Sequence, residues 1–179
     1  TGNVFQAAVD LSVATGADKG IVVYGDASNA NFETKRVTIT GNTLHNHTKA
    51  GISLAGQVLK ATIQGNTLET QLENYFPTAE GIVLHGEDPI GSAEEVIITG
   101  NQLRRLIRGV RVSGYMQNNT VEGASHIVVS NNSIKEISEA RDDAPYSEDN
   151  PFGTNQGILF AYTDQGTATG NILHTIGMR

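Results

Sequence analysis

Apolar and polar residues alternate over short stretches of this chain, and the same punctuation closes each stretch. Val37-Thr-Ile39-Thr-Gly41-Asn42-Thr-Leu44 is followed by Ala61-Thr-Ile63-Gln-Gly65-Asn66-Thr-Leu68, Val96-Ile-Ile98-Thr-Gly100-Asn101-Gln-Leu103 and Ile127-Val-Val129-Ser-Asn131-Asn132-Ser-Ile134. Shorter copies open and end the chain at Gly2-Asn3-Val-Phe5 and Gly170-Asn171-Ile-Leu173. A period of two predicts a strand with one buried face, so Val37 and Ile39 point inward while Thr38 and Thr40 point outward. Gly-Asn then predicts a turn through left-handed backbone angles, and the aliphatic residue two positions on returns to the core. A second element, Gly-apolar-x-apolar, shares the period: Gly20-Ile-Val-Val23, Gly51-Ile-Ser-Leu54, Gly81-Ile-Val-Leu84, Gly109-Val-Arg-Val112 and Gly157-Ile-Leu-Phe160. One unit therefore reads strand, turn, short strand, variable loop, glycine-led strand, variable loop.

The turn asparagines lie 24 to 39 residues apart. Strands keep their length and loops absorb the difference, as in a solenoid. Asparagines at equivalent turns are expected to stack as a ladder, each amide bonding that of the next coil. A leucine-rich repeat shares the spacing around Asn42, but it needs a helical segment where this chain has a second strand rich in Gly, Val, Ile and Thr. Gly114 to Val121 fits an insertion better than an extra coil.

The pattern resembles the right-handed parallel β-helix of pectate-lyase-like proteins, from Gly2 to Gly177. The fold expected is all-β: a right-handed parallel β-helix of about five coils with an asparagine ladder. It is a single domain over residues 1–179, read as incomplete at both ends because each end falls within a repeat and no capping repeat is visible.

Composition narrows the function. The chain has no Cys, so neither a disulfide nor a thiol is available. No run of about 18 apolar residues predicts a membrane span. A net charge of −7 with no Trp disfavours nucleic acid as a partner. Arg104, Arg105, Arg108 and Arg111 form a basic cluster in this acidic chain, suited to an anionic sugar or a partner's acidic loop.

Alternation along the glycine-led strands places Val22, Ser53, Val83, Arg111 and Leu159 in one outward column and Tyr24, Ala55, His85, Ser113 and Ala161 in the next. Asp26, Glu87, Asp88, Tyr115, Tyr162 and Asp164 follow at the strand ends. The resemblance implies a groove along this face for an extended extracellular polysaccharide. In a lyase, His85 or Tyr24 would serve as base or acid and Arg111 would face the uronate carboxylate. In a hydrolase, Asp26 and Glu87 or Asp88 would sit two coils, about 10 Å, apart, against the 6.5–9.5 Å of an inverting pair. Tyr115, Tyr162, Asp164 and Arg108 would bind substrate. Of the polygalacturonase set only His85-Gly86 and Asp142-Asp143 occur, in the wrong order, and Asp88-Pro89 lacks the His of the alginate epimerases' Asp-Pro-His.

The stretch 139–153 is a long acidic loop. Its Asp142, Asp143, Glu148 and Asp149 offer oxygen ligands for Ca²⁺ without EF-hand spacing; no other cofactor is expected, and His45-Asn-His47 lacks a third metal ligand. Three classes of function remain open: a polysaccharide lyase or glycoside hydrolase; a trimeric phage tailspike or glycan-binding adhesin, with Val22, Val83 and Leu159 in the trimer seam; and a non-catalytic structural repeat protein. Other segments of the same β-helix are expected partners, and the setting is extracellular or the surface of a cell or virion.

Overall fold

A computed structural model describes residues 4–6, 19–25, 34–47, 49–70, 79–86, 91–117, 120–138 and 156–178. Strands are numbered in chain order. Three sheets wind around one core. The glycine-led sheet holds β2 (Lys19–Gly25), β6 (Ala50–Gly56), β10 (Glu80–His85), β13 (Arg108–Ser113) and β18 (Gln156–Ala161). The pre-turn sheet holds β4 (Thr38–Thr40), β8 (Thr62–Gln64), β11 (Ile97–Thr99), β16 (Ile127–Ser130) and β19 (Gly166–Thr169). The post-turn sheet holds β1 (Val4–Gln6), β5 (Thr43–His45), β9 (Thr67–Glu69), β12 (Gln102–Leu106), β17 (Ser133–Ser138) and β20 (Ile172–Met178). The chain visits the three sheets in turn, and every pairing within them is parallel. The fold is thus an all-β parallel solenoid of five coils with one extra strand, β1, ahead of them.

Two further pairs sit outside this frame. β3 (Thr34–Lys35) and β7 (Val58–Leu59) pair in parallel between the glycine-led and pre-turn sheets. β14 (Tyr115–Gln117) and β15 (Thr120–Glu122) form an antiparallel hairpin. That hairpin is the insertion expected between Gly114 and Val121, not an extra coil.

The repeat residues stack in register. Leu44, Leu68, Leu103 and Ile134 are successive partners in the post-turn sheet, and Ile39, Ile63, Ile98 and Val129 in the pre-turn sheet; all are buried. Each fully buried aliphatic side chain stabilises by about 1.5–3 kcal/mol. Leu173 occupies the same column on the fifth coil and is 47% exposed, since no described strand lies beyond β20.

Asn42, Asn66, Asn101 and Asn132 are buried between coils. Nδ2 of Asn42 donates to Oδ1 of Asn66 (3.0 Å), Asn66 to Asn101 (2.9 Å), Asn101 to Asn132 (2.9 Å) and Asn132 to Asn171 (3.0 Å). The backbone N–H of each donor residue reaches the same Oδ1 at 2.9–3.0 Å. Nδ2 of Asn66, Asn101 and Asn132 also donates to the carbonyls of Ile39, Ile63 and Ile98 one coil back. Both amide protons and the oxygen are therefore used, which a buried amide requires.

Corners are made by left-handed residues. Gly41, Gly65, Gly100, Asn131 and Gly170 turn the chain at Gly-Asn with φ between 54° and 64°. Arg36, Lys60, Glu95 and His126 do the same just before the pre-turn strands, as do Asn46 just past β5 and Arg105 and Glu136 within β12 and β17. A glycine leads the remaining sheet because that inner corner has no space: a Cβ on Gly109 would lie 2.5 Å from the Gly157 carbonyl and 2.6 Å from Ile134.

Candidate binding face on the glycine-led sheet

The register of the outward columns is the one alternation predicts. Val22, Ser53, Val83, Arg111 and Leu159 are successive partners, as are Tyr24, Ala55, His85, Ser113 and Ala161. Exposure within the columns is uneven. Tyr24 and Val22 on the first coil are about half exposed, at 49% and 53%, and His85 and Tyr162 are exposed. Ser53, Ala55, Val83, Ser113 and Ala161 are buried although they lie on the outer side. Val22, Val83 and Leu159 consequently do not form a continuous apolar stripe.

A third outward column lies along the starts of these strands: Lys19, Ala50, Glu80, Arg108 and Gln156. Strict alternation from Ile82 and Leu84 would turn Glu80 inward. The side chain instead points outward because the corner glycine and the next residue both face the core. A Cβ on Gly81 would meet Leu103 and Leu106, and Ile82 is itself in the core. Glu80 is the centre of the site. Its Oε1 pairs with Nη1 of Arg108, and its Oε2 accepts from Arg111 through Nη2 at 3.0 Å and Nε at 3.1 Å. Nε of Arg108 donates to Oε1 of Gln156 at 2.8 Å.

Arg108, grouped by sequence with the substrate-binding residues, is thus buried and engaged by Glu80 and Gln156; its part is to hold the face together. Arg111 keeps about a quarter of its side chain exposed. One carboxylate bonds two guanidiniums, and the accessible edge of the cluster is Arg111.

His85 stands beside Ser113 across one strand pair, with Nδ1 3.4 Å from the hydroxyl. Ser113 Oγ in turn donates to the Leu84 carbonyl at 3.4 Å. Tyr115 is half-buried at the start of the hairpin, and Tyr162 and Asp164 are exposed just past β18. Asp26, Glu87 and Asp88, and the acidic loop with Asp142, Asp143, Glu148 and Asp149, lie outside the described residues.

Behind the face, His47 is buried and its Nε2 lies 2.9 Å from the Glu80 carbonyl. A carbonyl only accepts, so Nε2 carries the proton and Nδ1 is bare; no partner among the described residues reaches it. Burial holds the imidazole down to about 4, against the opposing pull of the Glu80 hydrogen bond, with nearby His45 lowering it further. His45 and His47 find no third partner for a metal: among the described residues no group of three His, Cys, Asp or Glu side chains could hold an ion.

The other arginines of the basic cluster are engaged on the post-turn side. Arg104 Nη2 lies 2.7 Å from Glu136 Oε1, Arg105 Nε lies 3.0 Å from Glu136 Oε2, and both reach Glu69 at 3.6–3.8 Å. Hydrogen bonding to Arg104, then to Arg105, holds the Glu136 carboxyl below its ordinary value despite some desolvation. These pairs were within reach of the sequence: Glu69 and Arg104 each stand three residues past a turn asparagine, and Arg105 and Glu136 four.

No protein-family model, curated protein or solved structure matches the chain.

Proposed function

We propose that this chain is a pectate-lyase-like β-helix that binds, and cleaves, an extended anionic polysaccharide along the outward face of its glycine-led sheet, outside the cell or on a cell or virion surface. The observation that carries the reading is the pair of arginines around Glu80: both guanidiniums bond its carboxylate, and Arg111 keeps about a quarter of its side chain exposed. A uronate carboxylate fits that edge as a charge-assisted partner. Tyr24 and Tyr162 lie toward the two ends of the same face and offer rings to sugar units.

In the lyase reading, His85 takes the proton next to the uronate carboxylate, and Arg111 stabilises the negative charge that develops on that carboxylate. The electron pair left behind forms the C=C bond as the glycosidic C–O bond breaks, and the leaving sugar oxygen takes a proton. The test is incubation with pectin, alginate and glycosaminoglycans, followed by the ultraviolet band of unsaturated products and by reducing ends. Ultraviolet product lost in His85→Ala and Arg111→Ala supports the lyase. Reducing ends without that band point to hydrolysis, and neither signal removes catalysis.

A second reading, a trimeric tailspike or adhesin, draws on the exposure of Val22 at one end of the face. Light scattering decides it: a trimer supports it and a monomer counts against it.

A further inference from the structure

The outward side of the pre-turn sheet differs in chemistry from the outward side of the glycine-led sheet. Its two columns are in register over five coils. Thr38, Thr62 and Thr167 fall in one column and Thr40, Thr99 and Thr169 in the other. The remaining positions are Gln64, Ile97, Val128 and Ser130, so no outward position on this sheet is charged or aromatic. Every one of these side chains is exposed or half-exposed, with Ile97 at 45%.

Strand propensity alone does not produce this. Thr, Val and Ile are favoured on any solvated strand. Yet only one of the two outward post-turn columns, Thr43, Thr67, Gln102, Ser133 and Ile172, is free of charge; the other is His45, Glu69, Arg104, Lys135 and His174, and the glycine-led column includes Lys19, Glu80 and Arg108. Charge also returns at the corner bordering the pre-turn sheet, at Arg36, Lys60 and Glu95.

The face is also regular and stiff. Parallel strands repeat about every 4.8 Å, and alternate residues along a strand about every 6.6 Å. Six threonines with Ile97 and Val128 are β-branched, which restricts their rotamers and fixes hydroxyls and methyls on that grid. Neighbouring coils bring hydroxyls into contact, Ser130 Oγ donating to Thr99 Oγ1 at 3.1 Å. A sugar chain would want aromatic platforms, and a charged polymer would want charge; the grid has neither. Its two repeats are of the same order as the oxygen repeats of an ice lattice. Hydroxyls can anchor a layer of ordered water while methyls keep bulk water from competing.

We infer that the pre-turn face binds the surface of ice, a site separate from the glycine-led face. The experiment uses the 179-residue chain in a thermal-hysteresis and ice-recrystallisation assay. Thr99→Lys and Thr40→Lys are compared with Lys135→Gln on the post-turn sheet, each checked for folding by circular dichroism. The wild type and Lys135→Gln should shape ice and halt its growth, and the two threonine variants should lose the effect while remaining folded. If either does not fold, Thr99→Gln serves as its replacement. Folded wild-type protein that leaves ice growth unchanged at millimolar concentration overturns the inference, as does an effect that the threonine variants keep. Light scattering that shows a dimer dissolved by Thr99→Lys also overturns it, and assigns the face to a second copy of the chain.

Discussion

The pre-turn and glycine-led sheets are built from the same five coils, share one core and stack with the same parallel register, yet their outer faces have opposite chemistry. One is a charge-free grid of hydroxyls and methyls. The other carries a buried carboxylate held by two arginines, a histidine beside a serine, and tyrosines toward its ends. The inward residues barely differ between coils because they must fit the coil above and below. The exposed outward residues answer to no such constraint, so function on this scaffold is read from them.

The largest effect should separate structural from open groups on the glycine-led face. Glu80→Ala takes a carboxylate away from the buried guanidinium of Arg108, and urea unfolding should show a loss of about 3–5 kcal/mol. Arg111→Ala removes a partly exposed partner and should lose about 1 kcal/mol or less. Equal losses would mean that the face is one structural unit with no open member.

Acid should act on the same side. The His47 imidazole is held to about 4 when folded, below its ordinary 6.5, so the unfolded chain takes up a proton first as pH falls. This contribution to stability is complete above pH 6.5, declines as pH drops from there toward 4, and amounts to about 3 kcal/mol. Among the described residues His47 bonds the backbone of β10, whereas the pre-turn strands carry no titratable side chain. Hydrogen exchange near pH 4.5 should therefore open β10 before β8 and β11, and His47→Gln should flatten the pH profile. Simultaneous opening of all three would break the distinction.

Asn101→Ala tests what the two faces share. It strands the N–H groups of Asn66 and should lose about 1–3 kcal/mol for each buried donor. The same substitution at Asn171, on the last described coil, should cost less. Thr99→Val on the open grid should be the smallest change, within about 0.5 kcal/mol in thermal unfolding.

How much of this was legible before the structure depends on the residue. Ile39, Ile63, Leu44 and Leu68 announce themselves by alternation and recurrence, and the outward columns with Arg111 and His85 follow by counting. Glu80 was hidden because the glycine corner puts two successive residues, Gly81 and Ile82, against the core and so breaks the alternation. The corners at Arg36, Lys60, Glu95 and His126 were hidden for another reason: residues of four different types adopt the left-handed conformation there, and no composition signal marks it. The burial of Ser53 and Val83 depends on what covers the sheet, which a strand pattern does not encode.

The most direct test of the functional account is a calorimetric titration of uronate polymers (polygalacturonate, alginate and a glycosaminoglycan) against the wild type, Arg111→Ala and Thr99→Val. At least one polymer should bind the wild type, bind Thr99→Val equally well and lose most of its affinity for Arg111→Ala. Binding that ignores Arg111, or no binding by any of the three, would contradict it.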